Sequence, residues 1–348
     1  MSPLAPTFEF GVDTFGDVTL DAAGQPRPHA QVLREVVEEA VIAEQAGLDA
    51  FGVGEHHRDD FSISAPEVVL AAIAARTSRL WLGSAVTVLS TDDPVRVFER
   101  FSTLHAIANG RAEVILGRGS FTESYPLFGY DLSQYEQLFE EKLELFAELL
   151  TGGPVTWSGR TRAALTDQSV YPPIEAGTLR TWVGVGGSPE SVIRAARYGF
   201  PLTLAIIGGS PTRFRPYVDL YKQSLERFGH PPQPIAVHSP GHVAATDDEA
   251  KTQLWPHYER MMNRIGGKRG WPPASRAHFD HDTGPKGALC VGSPDTVARK
   301  IINTVKTLGL SRFDLKYSNG ALPHDLMTQS LELIGTVVAP RVRNAVTQ

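Results

Sequence analysis

The segment Arg111-Ala-Glu-Val-Ile-Leu-Gly-Arg-Gly-Ser-Phe121 joins a short apolar run to a glycine-rich exit. Residues 114–116 have the length and branched side chains of a buried β-strand. In Gly117-Arg-Gly-Ser120, two glycines allow close approach of a ligand to the backbone, beside a cation and a hydroxyl group. The segment predicts a strand whose carboxyl end meets a flat, anionic ligand. An ordinary strand exit with a surface arginine is the alternative.

Strand and helix patterns alternate on both sides of this segment. Amphipathic runs such as 29–46 and 134–150 predict helices between short apolar strands. Eight such β–α units predict a parallel sheet closed into a (β/α)8 barrel, the TIM barrel fold, with a doubly wound open sheet as the alternative. The predicted strands cover residues 8–15, 49–53, 80–89, 111–117, 181–185, 200–207, 234–243 and 312–317.

Two stretches interrupt the alternation. Residues 156–180, after the fourth strand, and 266–292, after the seventh, are predicted to be irregular insertions because polar residues, Gly and Pro break their periodicity. His278-Phe-Asp-His281 in the second is interpreted as a solvated loop, and Met261-Met262 before it as helix packing. Since no interior stretch resembles a linker, we predict one barrel domain over residues 1–348.

The composition excludes several classes of protein. A net charge of -6 and an isoelectric point near 6.0 disfavour a nucleic-acid partner. The single cysteine, Cys290, excludes an intramolecular disulfide and leaves too few thiolates for a zinc cluster. Residues 1–7 lack the layout of a signal peptide, and no apolar run is long enough to cross a bilayer. We therefore predict a cytoplasmic protein without a membrane partner.

The segment Gly186-Gly-Ser-Pro-Glu-Ser191, after the fifth strand, opens a predicted helix. Free backbone N–H groups and the positive end of the helix dipole would face the barrel mouth there, with two serine hydroxyls beside them. This arrangement predicts a phosphate pocket, with Arg118 as its counter-charge. The alternative is a structural helix start, with Ser188 as the N-cap and Pro189 at the first helical position.

His56 and His57 follow Glu55 at the exit of the second strand. Adjacent side chains on extended backbone point to opposite sides, so one imidazole can face the cavity as an acid/base group at neutral pH. Two structurally hydrogen-bonded histidines are the alternative. We predict no metal site, because neighbouring histidines rarely chelate one ion and no matching spacing of ligands occurs elsewhere.

Several strand-end segments form a recognisable set. They are Glu55-His-His57, Ala85-Val-Thr-Val-Leu89 with Asp93-Pro-Val-Arg96, Gly110-Arg111 leading into Gly117-Arg-Gly119, Phe128-Gly-Tyr-Asp131, and Gly186-Gly-Ser-Pro-Glu190. In this order and spacing, they resemble the bacterial luciferase-like flavin-dependent monooxygenase family over nearly the whole chain. Individually none of these segments is specific, whereas their combination is.

The resemblance implies a barrel that holds reduced FMN with its isoalloxazine ring across the mouth. Arg118, Ser188 and Ser191 are expected near the phosphate, and the backbone of residues 85–87 along the ring. The family often has a non-proline cis peptide at the position that matches Ala85–Val86. With the glycine-rich strand exits included, the predicted cofactor-binding residues are Ala85, Val86, Thr87, Gly117, Arg118, Gly119, Gly186, Gly187, Ser188 and Ser191.

The implied reaction activates O2 through a C4a-(hydro)peroxyflavin and oxygenates a small organic substrate, often an aldehyde. His56 falls on the family's acid/base histidine. A separate flavin reductase would deliver the reduced FMN, because the sequence has no nicotinamide-binding fingerprint, and the family often forms homodimers. The substrate pocket is expected to come from residues 121–130, the two insertions and residues 321–324.

The chain also departs from luciferase itself. Tyr135-Glu136 stands where luciferase has a second arginine after the fourth strand, so one phosphate contact is missing or replaced. Gly187 replaces an acidic residue, and residues 266–292 do not align with luciferase. The resemblance therefore extends to neither light emission nor a particular substrate.

Three other functions compete with this one. A deazaflavin-dependent oxidoreductase that transfers hydride without O2 would use the same phosphate anchors. A non-catalytic flavin-binding relative is disfavoured by the retained Glu55-His-His57 and Arg118. A barrel lyase or glycosidase would need paired carboxylates at strand ends, for which Glu55 and Asp13 are the candidates.

Overall fold

The computed structural model describes residues 8–21, 23–175, 177–267 and 270–347, and within them eight parallel strands form a barrel. Each strand pairs with the next, and the last pairs with the first, so the sheet closes. The (β/α)8 prediction is confirmed, and the open-sheet alternative is wrong. The strands are β1 (Glu9–Thr14), β2 (Ala50–Val53), β3 (Trp81–Ser84), β4 (Ala112–Gly117), β5 (Arg180–Val185), β6 (Leu202–Ala205), β7 (Ile235–Val243) and β8 (Arg312–Lys316).

Helices surround the barrel, and local capping sets several of their starts. Asp93 caps one helix by accepting a hydrogen bond from the backbone N–H of Val95 at 2.9 Å, and Ser293 caps another. None of the described helices is long and apolar enough to cross a membrane. The described helices are α1 (His29–Gln45), α2 (Pro66–Ala74), α3 (Pro94–Ile107), α4 (Ser124–Phe128), α5 (Tyr135–Leu149), α6 (Pro189–Arg197), α7 (Arg215–Phe228), α8 (Asp247–Gly267), α9 (Arg276–Thr283), α10 (Pro294–Leu308), α11 (His324–Leu333) and α12 (Ala339–Val346).

The alternation of side chains along β4 separates two layers of core. Val114 and Leu116 are fully buried among the side chains that pack between the sheet and the helices. Ile115 belongs to a smaller apolar cluster with Trp182 and Ala236. This two-sided burial follows from the period of two along a strand, and it explains why the run is apolar at every position.

The barrel interior also carries buried charge. Arg312 on β8 donates to Glu113 on β4 at 2.5 Å and to both carboxylate oxygens of Asp314 at 2.9 Å. Trp182 Nε1 donates to Glu113 as well, at 3.2 Å. Burial raises the pKa of Asp314 to about 6, although the neighbouring Arg312 acts in the opposite direction. The interior is therefore held by paired charges in addition to apolar packing.

The two insertions contain regular secondary structure, although they were predicted to be irregular. The first contains an antiparallel pair of short strands, Val155–Trp157 and Leu165–Gln168. The second contains α9 and the short strand Cys290–Gly292, which pairs in parallel with β7. Ser275 starts α9 by capping the backbone N–H of His278, so the segment interpreted as a solvated loop is helical. The prediction that no signal peptide is present concerned residues 1–7, and these lie outside the described residues.

We expect replacement of Arg312 by methionine to destabilise the barrel strongly. The substitution leaves Glu113 and Asp314 buried without their cation, and the loss of one partner of a buried pair costs about 3–5 kcal/mol. Arg341→Met is the matched control, since Arg341 pairs with Asp295 on the surface and such a pair contributes about 0–1 kcal/mol. Urea unfolding measures both variants, and equal, small losses would contradict this account of the interior.

Candidate active site

A cavity of about 990 Å³ opens at the carboxyl ends of the strands. Parallel strands of a barrel deliver their exits to one face, which brings residues that are distant in sequence to a common wall. The wall combines aromatic rings, open glycine backbone and a few charged side chains. Seven predicted residues lie in it: His56, Ala85, Val86, Gly117, Arg118, Gly119 and Gly186.

The four other predicted residues lie behind or beside this wall. Thr87 is buried, and its hydroxyl donates to Ser84 at 2.9 Å. Gly187, Ser188 and Ser191 continue from Gly186 into the start of α6. These residues are therefore adjacent to the cavity through the strand exits, without forming its described lining.

The Ala85–Val86 peptide bond is cis, as the resemblance implied. Hydrogen bonds hold this segment on both sides: the Ala85 N–H donates to the Val53 carbonyl at 2.8 Å, and the Glu55 N–H donates to the Val86 carbonyl at 3.3 Å. The carboxylate of Glu55 accepts the Val88 N–H at 2.8 Å. The backbone that the resemblance assigns to the ring is thus fixed by β2 and its exit.

Gly117 is required by the position of Val86. A Cβ at Gly117 would lie 2.4 Å from Cγ2 of Val86, well inside contact distance. By contrast, a Cβ at Gly186 or Gly208 would meet no atom within 4 Å. The β4 exit therefore needs glycine for packing, whereas the β5 and β6 exits leave open backbone that a ligand can approach.

His56 lies in an aromatic cage at the cavity. Its ring stacks on Phe61 with centroids 4.5 Å apart, and it meets Phe15 and Phe121 edge to face at 4.9 and 4.8 Å. Its Nδ1 is 3.1 Å from Oε1 of Glu123. Burial raises the pKa of Glu123, but the hydrogen bonds from His56 and from the backbone together outweigh burial, and the pKa lies below its usual value. An ionised Glu123 accepts a hydrogen bond from Nδ1–H of His56, which leaves Nε2 outside this pair.

His57 has a different partner from its neighbour. Its Nε2 lies 2.9 Å from Oε1 of Glu55, and its ring meets Phe128 edge to face at 4.9 Å. Glu55 in turn holds the Val88 backbone, so His57 supports the cis-peptide segment. The two adjacent histidines thus have different surroundings. His56 lies in an aromatic cage, whereas His57 supports the backbone through Glu55.

Ser188 and Ser191 lie at the start of α6 and hydrogen-bond to each other. Ser188 caps the helix by accepting the Ser191 N–H at 3.2 Å, and its hydroxyl donates to the Ser191 hydroxyl at 2.8 Å. Such a cap leaves the first N–H groups and the helix dipole available to an anion. A structural helix cap and an anion site, the two alternatives predicted from the sequence, are therefore compatible at the start of α6.

Arg118 is already paired with a carboxylate. It donates to Glu136, and its guanidinium carbon lies 5.1 Å from the Tyr135 ring centre. Glu136 also accepts from Arg194 of α6 at 2.9 Å. Glu136 therefore lies between Arg118 and Arg194, with most of its side chain exposed to solvent.

The cavity wall includes residues that sequence analysis assigned elsewhere. Met261 and Met262 pack against the core, as predicted, and they also line the cavity, which was not predicted; His278 lines it from α9. Tyr258, Met261, Met262 and Ile265 repeat at helical spacing along α8, a signal that marks one face of this helix. Sequence periodicity identifies that face, but only the packing of α8 over the barrel shows that it meets the cavity.

The predicted pocket segments contribute unequally. Phe121, Glu123 and Ser124 line the cavity, and residues 271–275 of the second insertion do so as well. The first insertion contributes no residue to the described lining, and the β8 exit contributes Asn319 in place of residues 321–324. Among the described residues, no three His, Cys, Asp or Glu side chains are placed to hold a metal ion.

A closed barrel with its cavity at the carboxyl ends of the strands has the architecture of a TIM-barrel enzyme. The family model described as "Luciferase-like monooxygenase" matches residues 10–312, and the chain therefore belongs to the luciferase-like monooxygenase family. Protein y4vJ of Sinorhizobium fredii is 23% identical over 335 residues, 92% of this chain and 95% of that protein. N-acetyl-S-alkylcysteine monooxygenase of Bacillus subtilis is 32% identical over 185 residues, 52% of this chain and 53% of that enzyme.

Solved structures share the fold over nearly the full chain. Monooxygenase RslO1 from Streptomyces bottropensis superimposes with a TM-score of 0.83 at 23% identity, covering 95% of this chain and 99% of that one. The oxygenating constituent of 3,6-diketocamphane monooxygenase from Pseudomonas putida, in complex with FMN, gives 0.76 at 20% identity, with 97% and 99% covered. An F420-dependent secondary alcohol dehydrogenase gives 0.74 at 18% identity, also with 97% and 99% covered.

We expect Gly117→Ala to destabilise the protein, because its new methyl group would overlap Val86. Overpacking of this kind costs about 1–3 kcal/mol. Gly186→Ala is the matched control, since a Cβ there meets no atom within 4 Å. Urea unfolding of the two variants compares them directly. A Gly117→Ala protein as stable as Gly186→Ala would show that the Val86 contact does not constrain the β4 exit.

Proposed function

We propose that this protein is a monooxygenase that uses reduced FMN and O2 to oxygenate a small organic substrate. The observation that carries the proposal is the pairing of His56 with Glu123 inside an aromatic cage, beside the open strand exits of the cavity. Family membership supports the general activity, and the FMN complex of the diketocamphane enzyme supports the choice of cofactor.

The cavity wall fits a flat ring system bound through backbone and small side chains. Ala85 and Val86 form one part of the wall, and Gly117 and Gly119 come beside them because Val86 and Val88, respectively, leave no room for a larger residue. A ring placed there would be covered by apolar side chains and backbone amide groups. The open backbone at Gly186 then leads from the ring site toward the start of α6.

The phosphate of FMN would lie at the start of α6. The free N–H groups of that helix, the hydroxyls of Ser188 and Ser191, and the guanidinium of Arg118 are the donors that a phosphate needs. Glu136 competes for the same guanidinium. Because most of the Glu136 side chain is exposed, solvent weakens this competition, and the phosphate can take over Arg118 at modest cost.

Reduced FMN, when bound, would supply the two electrons with which one atom of O2 enters the substrate and the other becomes water. The chain's own contribution is proton control in a dry site. Three aromatic rings around His56 keep water away from its imidazole. Glu123 fixes the ring through Nδ1, so that Nε2 can hold or release a proton toward the cavity.

The remaining expectations belong to the same proposal. We infer that a separate reductase delivers the reduced FMN, and that the protein acts as a homodimer in the cytoplasm, as the resemblance implies. A second candidate cofactor is the deazaflavin F420, favoured by the F420-dependent alcohol dehydrogenase of similar fold. The same donors at α6 would bind its phosphate, and His56 would then serve hydride transfer without O2.

Equilibrium binding under anaerobic conditions distinguishes the two cofactors. Reduced FMN and reduced F420 are each titrated into the purified protein, and the bound fraction is separated by rapid ultrafiltration. We expect reduced FMN to bind at least about tenfold more tightly, a difference of about 1.4 kcal/mol. Tighter binding of F420 would replace the monooxygenase proposal with hydride transfer, and binding of neither would contradict both.

Arg118 and Glu136 are expected to change FMN affinity in opposite directions. Arg118→Gln removes a charge-assisted contact worth about 1.5–3 kcal/mol and should weaken reduced FMN binding by roughly 10- to 150-fold. Glu136→Gln removes the competing carboxylate and should strengthen binding by about two- to fivefold, the range for an exposed pair. Reduced riboflavin, which has no phosphate, is the control ligand. Equal effects on both flavins would place the phosphate elsewhere.

His56 is expected to matter for turnover more than for cofactor binding. His56→Gln keeps a polar side chain but removes proton transfer, which should lower the rate of substrate oxygenation by about 10²- to 10⁴-fold while reduced FMN still binds. Glu123→Gln should give an intermediate rate, since it keeps a hydrogen-bond acceptor and removes the charge. His230→Gln, whose imidazole contacts the Arg197 carbonyl outside the cavity, is the control. Single-turnover assays on a substrate found by screening measure all three variants, and an unchanged His56→Gln rate would exclude His56 as the acid/base residue.

A further inference from the structure

His238 also lines the cavity, and the proposed FMN site does not use it. His238 on β7 lies in the cavity wall, with 14% of its side chain exposed. Its Nδ1 is 2.8 Å from Oδ2 of Asp13 on β1. Asp13 lines the same cavity and is only 2% exposed. His238 with Asp13 is therefore an imidazole backed by a carboxylate, as His56 is with Glu123.

The Asp13–His238 pair is built by the closed sheet. β8 lies between β1 and β7, with Asp13 in register with Lys316 and His238 in register with Asp314. The two side chains meet across β8 because both point into the barrel. Gly52 on the other side of β1 provides room, since a Cβ there would lie only 3.0 Å from Cβ of Asp13. The pair is thus fixed by three strands.

The hydrogen-bond pattern leaves acceptor positions on both residues. An ionised Asp13 accepts the Nδ1 proton of His238, so Nε2 of a neutral imidazole carries a lone pair. No residue in the described part of the chain hydrogen-bonds this Nε2. Oδ1 of Asp13 is buried and likewise has no hydrogen-bond partner among the described residues. Buried polar atoms are rarely left unpaired, so this part of the cavity suits a ligand that donates a hydrogen bond.

The neighbouring charges do not supply that donor. Lys316 lies 4.5 Å from the centre of the Phe15 ring, but its ammonium donates to Asp17 at 3.0 Å and to Ser318. Arg312 is engaged by Glu113 and Asp314 deeper in the barrel. The donor for His238 must therefore come from a bound molecule or from solvent.

The walls around His238 suit an aromatic molecule. The Phe15 ring lies nearly parallel to the His238 ring, at 10° and 6.1 Å, and the same phenylalanine meets His56. The aromatic side chain of Tyr258 and the thioethers of Met261 and Met262 line the cavity from α8. Flat rings and polarizable sulfur atoms both make favourable contacts with aromatic ligands.

We propose that His238, held by Asp13, binds the hydroxyl group of a phenolic substrate and accepts its proton. The inference rests on the proposed monooxygenase function and names its substrate class. The hydroxyl proton moves from the phenol oxygen to Nε2, which leaves a phenolate and an imidazolium paired with Asp13. A phenolate ring is richer in electrons than the phenol and is therefore a better acceptor of an electrophilic oxygen atom. An aliphatic hydroxyl is too weak an acid for an imidazole to deprotonate in the same way.

Binding of 4-nitrophenol tests the proposal without turnover. The probe absorbs at different wavelengths as phenol and as phenolate, and 4-nitroanisole is the matched probe without a hydroxyl group. Both are titrated into the full-length protein at a pH slightly below the pKa of free 4-nitrophenol. We expect the bound nitrophenol to absorb as phenolate and to bind at least about tenfold more tightly than nitroanisole, consistent with a hydrogen bond to a charged pair.

Variants identify the residue that accepts the proton of the bound nitrophenol. His238→Gln should abolish the phenolate spectrum and reduce nitrophenol affinity to that of nitroanisole, and Asp13→Asn should lower the phenolate fraction while binding persists. His230→Gln, whose imidazole contacts the Arg197 carbonyl outside the cavity, should leave the spectrum unchanged. Far-ultraviolet circular dichroism confirms that each variant folds. If His238→Gln does not fold, the comparison of the two probes in the unaltered protein still decides the matter.

Several results would overturn the proposal. Equal affinities for the two probes, a bound nitrophenol that stays protonated, or an unchanged spectrum in His238→Gln would each do so. A failure of reduced FMN to bind is a separate result, because the probe titration contains no flavin. That failure would contradict the proposed cofactor, whereas a negative probe titration with normal FMN binding would contradict only the phenol inference.

Discussion

The pairing of β8 with β1 is the constraint on which the rest of the structure depends. It closes the sheet, and only a closed sheet brings the exits of all eight strands to one rim. His56 after β2, the cis segment after β3, Arg118 after β4 and Gly186 after β5 thereby share a cavity, although 130 residues separate the first from the last. Closure also places Asp13 and His238 on either side of β8, which makes their contact possible.

Paired charges inside the barrel explain how a largely apolar cavity can contain several polar groups. Arg312 satisfies Glu113 and Asp314 at depth, and Glu123 and Asp13 each orient one histidine nearer the mouth. Each pairing offsets the desolvation that burial imposes on these groups. Aromatic rings then surround the imidazoles and limit the access of water. In the same arrangement, Nδ1 of both His56 and His238 is held by a carboxylate, and the roles proposed for them concern the remaining ring nitrogen, Nε2.

Much of the fold and part of the site follow from local sequence signals. The period of two in β4 and the helix starts at Asp93 and Ser188 are decided by neighbouring residues, whereas the need for glycine at position 117 comes from the distant Val86. The contribution of Met261, the Arg118–Glu136 pair and the Asp13–His238 contact were not predicted, because each depends on packing between distant segments. The last of these joins positions 225 residues apart. The helical nature of residues 276–283 was missed since Gly and Pro dominate their surroundings and conceal a short capped helix.

Oxidation of the bound flavin tests the central claim most directly. The complex with reduced FMN is formed without oxygen and mixed with oxygenated buffer in a stopped-flow instrument, while the absorbance of oxidised flavin is recorded. The account predicts that the protein delays the appearance of oxidised flavin relative to free reduced FMN, because the aromatic cage excludes water and His56 controls the proton. It also predicts that an oxygenatable substrate changes this rate. Oxidation at the rate of free reduced FMN, with or without substrates, would contradict the monooxygenase account.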